Sequence, residues 1–196
     1  MQRNLSSKEL NDFEQINRED FGVFRPTIVQ RILIFVAQKT FFKRGHLRRL
    51  ITHLTYSIRK APLDIYFRQC AYRLHFNRRN HIQFGLLANP KYNFRDIEFL
   101  LKGSNSTSNF VDIGANIGLY CQPLARNSPK GQVIAIDANP LMVEQLNFNA
   151  KASNLKNLTI IFSAVSNKIG YGSLKINNDD DAIVALNEEN NDGIPI

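Results

Sequence analysis

Asp112, Gly114, Asn116 and Gly118 fall within one short run, and Asp137 follows twenty-five positions after Asp112. The run is Asn109-Phe-Val-Asp-Ile-Gly-Ala-Asn-Ile-Gly118: an apolar strand-like stretch, a turn with glycine, and then a helical pattern. QVIAID at 132–137 is a second apolar stretch that ends on an acid. A strand feeding a glycine-bearing turn and then a helix delivers the backbone to the carboxyl edge of a parallel sheet, where α/β proteins bind nucleotides. Gly114 lacks a Cβ, so a ligand can approach its backbone, and Gly118 allows the following helix to pack close to the strand. Asn116 is the expected helix cap, beside an electropositive helix N-terminus. Asp112 points a carboxylate into the same crevice. Asp137, at the end of the next strand, has acceptor capacity for both hydroxyls of a ribose.

The charge of the turn selects among nucleotide ligands. A dinucleotide site favours GxGxxG, which brings a helix N-terminus to a pyrophosphate. This protein has D-x-G-x-x-x-G instead. A carboxylate in the turn repels pyrophosphate and suits a ligand with an ammonium group. S-adenosylmethionine carries an ammonium, a sulfonium and a ribose but no phosphate, and it is the better match on charge.

Several elements must position these residues. The strands are expected at 110–113, 132–137 and 158–163, with a fourth at 172–176. A helix is expected over 117–126. A second helix follows Asn139 as cap, with Pro140 in its first position. Ahead of them, 94–102 (FRDIEFLLK) predicts a short helix stopped by Gly103, and the polar run 103–109 predicts a linker. LDIYFRQCAYRLHF at 63–76 alternates apolar and polar residues, as two strands around Gln69–Cys70 would, followed by a polar turn at 77–80. Helical spacing places Ile28, Ile32, Phe35 and Val36 on one face of 26–42, and Leu47, Leu50, Ile51, Leu54 and Ile58 on one face of 46–60. Residues 1–20 are polar and expected to be loose.

Charge divides the sequence at the same linker. Residues 1–103 hold nineteen Lys and Arg against eight Asp and Glu, net +11, whereas 104–196 hold six against nine, net −3. The expected organisation is a flexible 1–20, a basic helical and β-hairpin extension over 21–103, and a cofactor-binding α/β domain over 104–196. The basic stretch 43–60 could contact an anionic membrane surface, but its leucine face is expected to pack on the α/β domain. No nucleic-acid reader motif occurs, so no nucleic acid is expected as a partner. Two cysteines far apart, Cys70 and Cys121, have no zinc spacing and read as reduced thiols. The N-terminal segment mixes acids and bases, unlike a signal peptide, and no stretch reaches spanning length. The protein therefore reads as cytoplasmic, with peripheral contact at the membrane's inner face as the variant. His46 and His53 could share a helical face but lack a third ligand and read as surface or interface residues, whereas His75 and His81 flank a turn with no paired acid at catalytic spacing.

DIGANIG at 112–118, followed by IAIDANP at 134–140, resembles the class I S-adenosylmethionine-dependent methyltransferases. The fuller pattern, FVDIGANIGLY at 110–120, AIDANP at 135–140 and FSAVSNKIGYGSL at 162–174, is similar to the FkbM family. The resemblance implies a Rossmann-like α/β fold in which Asp112, Gly114, Asn116 and Gly118 form the first cofactor loop. Asp137 then holds the ribose, and Ser163 and Ala164 lie near the adenine. It also implies methyl transfer to an oxygen nucleophile, a hydroxyl on a sugar, lipid or small metabolite. The family continues with a strand carrying an acid-glycine-acid cluster. No such cluster occurs here, so the sheet is expected to be incomplete and the sequence shortened at its C-terminus, and no catalytic base can be named. Three other readings remain open. They are an inactive remnant with an exposed half sheet, an NAD-dependent oxidoreductase, and a membrane-surface adaptor built on 21–62.

Overall fold

A computed structural model describes residues 7–39, 45–75, 81–167, 169–176, 184–187 and 194–195. The expected turn at 77–80 lies outside the described residues, as do the acids Asp179, Asp180 and Asp181.

The α/β unit forms because three apolar runs become parallel strands: β3 (Phe110–Ile113), β4 (Val133–Asp137) and β5 (Leu158–Phe162). Their order is β3-β4-β5, and the register sets Asp112 opposite Ala135 and Asp137 opposite Phe162. Helices α6 (Cys121–Asn127) and α7 (Pro140–Ala152) make the two crossovers. This is a Rossmann-like βαβαβ arrangement, as expected. Asn139 caps α7 with its side chain accepting from Leu141 N–H, and Pro140 follows. At the other end Asn154 adopts the left-handed conformation (φ 54°), and Leu155 N–H returns to Ala150 C=O (3.1 Å). That bond satisfies a terminal carbonyl that the helix would otherwise leave unpaired.

Both helices pack on one face of the sheet. Val133, Ala135, Ala115, Cys121, Ala125 and Leu146 form the buried cluster there. On the opposite face Val111, Ile134 and Thr159 make one cross-strand row, and Ile113, Ile136 and Ile161 make the next. Val111 and Ile113 are each 62% exposed. The first strand, apolar in sequence, is thus only partly buried. A parallel sheet is normally covered on both faces, and no described helix packs on this one. The fourth strand, expected at 172–176, is β6 (Tyr171–Ile176). It leaves the parallel sheet and pairs antiparallel with β7 (Val184–Asn187) and β8 (Ile194–Pro195).

The segment before residue 104 is folded against α7. Strands β1 (Leu63–Phe67) and β2 (Cys70–Leu74) make a hairpin whose two-residue turn is Arg68–Gln69, both with positive φ (49° and 64°). The turn thus falls one residue earlier than the sequence suggested. Its backbone is that of the tight hairpin turns that usually take Asn-Gly. The free edge of β2 is closed by side chains of α7 and its cap. Ala71 N–H donates to Ser153 Oγ (2.7 Å), Arg73 N–H donates to Asn149 Oδ1 (2.9 Å), and Gln145 Nε2 donates to Arg73 C=O. An exposed edge strand would template further pairing, and here three polar side chains of the helix take that role. Buried Leu63, Tyr72, Leu74, Ile117, Leu119, Leu141 and Met142 share one apolar cluster across the hairpin, the 114–119 turn and α7.

Residues 7–17, expected to be loose, are helix α1 (Ser7–Asn17), and Phe13 is buried with its ring stacked on His75 (centroids 3.9 Å apart). His75, beside the expected turn, is therefore a core residue. The backbone just after α1 is held by Arg73, whose side chain is wholly buried. Its guanidinium donates to Asp64 through Nε (2.8 Å) and Nη2 (3.0 Å), and to the carbonyls of Ile16, Glu19 and Asp20 (2.9 Å each). The rings of Phe24 and Phe148 flank it at 4.8 and 4.0 Å.

Helices α2 (Ile28–Lys39) and α3 (Gly45–Ser57) lie side by side. Gln30 Nε2 reaches Thr55 C=O (2.8 Å), and Arg59 Nη1 reaches Arg25 C=O (3.2 Å), so the two run antiparallel. Helix α4 (His81–Ala88) was not anticipated from the sequence, whereas α5 (Phe94–Lys102) has the predicted bounds and ends at Gly103. The 103–109 run makes local turns and is bonded to 127–132, through Lys130 N–H to Ser106 C=O (2.8 Å) and Gln132 N–H to Asn109 Oδ1 (2.8 Å).

Candidate functional site

The carboxyl ends of β3, β4 and β5 bring Asp112, Asp137 and Ser163 to one edge of the sheet. Gly114 has φ +76°, and a Cβ built there would meet nothing within 4 Å. The left-handed backbone favours glycine on conformational grounds, and the space in front of it is open. Gly114 N–H and Ala115 N–H both donate to Ile136 C=O (2.8 and 3.1 Å), which ties the turn to β4. Asp137 takes up the next residue of the turn: Asn116 N–H donates to Asp137 Oδ2 (2.7 Å), while Asn139 N–H donates to Oδ1 (2.8 Å). Asp112 Oδ2 accepts from Cys121 N–H at the start of α6 (3.1 Å). Each acid therefore shapes the loop. Two carboxylate oxygens offer about four acceptor positions, so both acids keep capacity for a ligand.

Two expectations from the sequence change. Asn116 does not cap α6. The helix starts later than expected, its N-cap is Tyr120 with no side-chain cap bond, and Asn116 is a turn residue with φ 50°. Gly118 is needed for close packing, but against α7 rather than the strand. Its Cβ would stand 2.5 Å from Leu146 Cδ1, at φ +90°.

Burial is the main influence on both acids. It pushes the Asp112 carboxyl up, with the Asp137 charge adding to the rise and the Cys121 N–H opposing it. Burial also raises Asp137, against the hydrogen bonds from Asn139 and Asn116. Among the described residues, no Lys or Arg forms a salt bridge with either acid; the pairs present are Arg68–Glu98 and Arg73–Asp64. The crevice thus holds two carboxylates that burial desolvates, with no ion-paired cation among the described residues.

Ser163 N–H donates to Asp137 C=O (3.1 Å), and Ser163 Oγ donates to Ala164 C=O (3.1 Å). Ser163 and Ala164 follow β5 directly, half-buried, next to the end of β4. All seven residues singled out in the sequence belong to this edge of the sheet or to its first turn, though Gly118 acts on the packing side of that turn.

Residues that sequence reasoning missed hold the back of the turn. Tyr72 of β2 donates its phenol to Gly118 C=O (3.0 Å), and Asn149 Nδ2 of α7 donates to Ile117 C=O (3.1 Å). The alternating pattern at 63–76 announced a strand containing Tyr72 but could not reveal its partner. Tyr72→Phe keeps the ring and leaves the buried Gly118 carbonyl without that donor. It is expected to cost about 1–3 kcal/mol of stability, read from urea denaturation.

Both thiols are buried and free. Burial raises Cys70, and burial with the nearby Asp112 charge raises Cys121 well above the ordinary thiol value. Neither is suited to act as a nucleophile. No group of three or more His, Cys, Asp or Glu that could hold a metal occurs among the described residues.

No protein-family model matches this sequence, and no curated protein matches it. Among solved structures, TYW2 of M. jannaschii in complex with AdoMet is similar at 24% identity and TM-score 0.42, over 51% of this protein and 42% of that one. A SAM-dependent methyltransferase from Aquifex aeolicus matches at 30% identity and TM-score 0.33, over 40% of this protein and 43% of that one. TYW2 of P. horikoshii in complex with MeSAdo matches at 15% identity and TM-score 0.46, over 63% of this protein and 50% of that one. The match spans half the length of each of these proteins or less.

Proposed function

We propose that the protein is an S-adenosylmethionine-binding unit of a methyltransferase that transfers methyl to an oxygen nucleophile, a hydroxyl on a sugar, lipid or small metabolite. One observation carries this reading. Two acids desolvated by burial, with no ion-pair partner among the described residues, stand at the carboxyl edge of a parallel sheet, beside a glycine with open space before it. That arrangement fits a ligand with a positive charge and a ribose, and it opposes a pyrophosphate. In this reading Asp137 accepts from the ribose hydroxyls, and Asp112 faces the ammonium end. The backbone at Gly114 lies against the ligand, and Ser163 and Ala164 border the adenine. When bound, S-adenosylmethionine supplies an electrophilic methyl on sulfur. The protein's contribution is to orient it for in-line attack, and such positioning can supply most of a methyl transfer's acceleration. The FkbM resemblance supports the oxygen acceptor. No helix among the described residues is long and apolar enough to cross a membrane, and a cytoplasmic location is part of the proposal.

The competing reading is an NAD-dependent oxidoreductase. Equilibrium binding of S-adenosylmethionine and of NAD to the same preparation separates them. Saturable binding of the first without the second is expected, and preference for NAD would overturn the assignment.

The acids also set a pH dependence. Their folded-state values are raised, so between the ordinary carboxylate value and the raised one the folded protein holds more protons than the unfolded state. Their contribution to stability therefore declines as pH rises through that window and is constant above it. Ligand binding has the opposite sense, because it requires the charged carboxylates. S-adenosylhomocysteine affinity is expected to fall as pH is lowered into the window, with proton release on binding there. Calorimetry in buffers of different ionisation enthalpy measures both.

A further inference from the structure

We propose that the α2–α3 helical pair docks on an anionic lipid bilayer, with the apolar outer stripe of α2 entering the interface. This stands apart from the cofactor reading. Amphipathic helices ordinarily turn their apolar side inward, but here the periodicity is satisfied the other way round. Helix α2 buries Gln30 and Ala37, whereas Ile28, Val29, Ile32 and Phe35 are exposed, Ile28 at 76% and Phe35 at 60%. Helix α3 buries Ile51, Thr52 and Thr55 and leaves Leu50 and Leu54 exposed, with Ile58 just beyond it. The expected packing of the leucine face on the α/β unit is therefore not what forms.

Charge identifies the occupant. Between residues 21 and 62 the sequence contains nine Lys and Arg and no Asp or Glu. Of these, Arg25, Arg31, Lys39, Arg59 and Lys60 are described and exposed. A second copy meeting this surface face to face would set one acid-free basic segment against another. A bilayer with anionic headgroups meets both requirements, taking the apolar side chains at its acyl boundary and the cations at its phosphates. Beneath α2 a cleft of about 710 Å³ is bordered by Arg25, Arg31 and Arg68. Its carboxylate, Asp64, is already paired with Arg73, so the cleft adds to the positive field at this surface. The uncovered sheet face of Val111 and Ile113 is also apolar but has no such acid-free basic surround.

The test is sedimentation of the 196-residue protein with vesicles. Binding to phosphatidylglycerol-containing vesicles is expected, with little to pure phosphatidylcholine vesicles. It should be lost on going from about 0.1 M to about 1 M salt, where the screening length falls from about 10 to about 3 Å. Ile32→Glu with Phe35→Glu should reduce binding at least about tenfold, and Arg31→Glu should reduce it on anionic vesicles. Phe99→Glu makes the same kind of change at an exposed phenylalanine on α5 and should leave it unaltered. Circular dichroism confirms that each variant is folded. Equal binding to both vesicle types, no binding, or indifference to the α2 variants would overturn the proposal. So would a dimer in solution that Ile32→Glu with Phe35→Glu dissociates, which would assign the face to a second copy.

Discussion

Asp137→Ala is expected to weaken S-adenosylhomocysteine binding by about tenfold to a hundredfold, the worth of roughly 1.5–3 kcal/mol for hydrogen bonds to a charged group. The carboxylate has two duties: it fixes Asn116 N–H and Asn139 N–H, and it keeps acceptor positions for a ribose. The alanine variant removes both, so its stability falls as well. Asp137→Asn separates the duties. It retains one carbonyl oxygen for the loop but substitutes donors where the ribose requires acceptors, and it should keep more of the stability than of the affinity. Calorimetric titration gives the affinity and urea denaturation the stability. Affinity that follows stability in both variants would make Asp137 a loop anchor alone.

Arg73→Leu is expected to have the largest effect on folding, about 3–5 kcal/mol, the usual result of leaving one member of a buried ion pair without its partner. Asp64 would be left buried with only the backbone N–H groups of Gly22 and Phe24 as donors (2.6 and 3.2 Å). Three carbonyls at and after the end of α1 would lose their donor as well. A loss of this size is a large part of the net stability of a domain. The double variant Arg73→Leu, Asp64→Leu should recover part of it, because the uncompensated charge is gone. Chemical denaturation of the three proteins measures the coupling, and additive effects would show that the pair does not act as a unit.

These two residues also show what the sequence could and could not convey. Asp137 was legible because its signal is local: an apolar run, an acid, then Asn139-Pro140 opening a helix. The three parallel strands and the bounds of α5 were legible for the same reason. Arg73 was not, since its value lies in carbonyls at Ile16, Glu19 and Asp20 that no sequence spacing links to it. Tyr72 and Asn149, behind the glycine turn, are invisible for the same cause. Asn116 misled because an Asn before a helical pattern suggests a cap, whereas the backbone makes a further turn before α6 begins at Cys121. Helices α2 and α3 show a different limit. Periodicity finds the apolar stripe of a helix, but the direction the stripe faces is settled by what packs around it. In α2 the buried side is taken by Gln30 and Ala37, and the stripe is left outside.

The division of charge near residue 104 has a structural counterpart. Before it, the described cations Arg25, Arg31, Lys39, Arg59 and Lys60 are exposed on α2 and in the segments before α2 and after α3, and the hairpin supports the acidic crevice from behind through Tyr72.

The central claim is that the edge formed by Asp112, Gly114 and Asp137 is a binding site for S-adenosylmethionine. Calorimetric titration of the folded 196-residue protein with S-adenosylhomocysteine tests it most directly. One saturable site per molecule is predicted, with affinity lost as the two acids become protonated. A folded protein that gives no binding up to about millimolar ligand, an interaction weaker than about −4 kcal/mol, would contradict it.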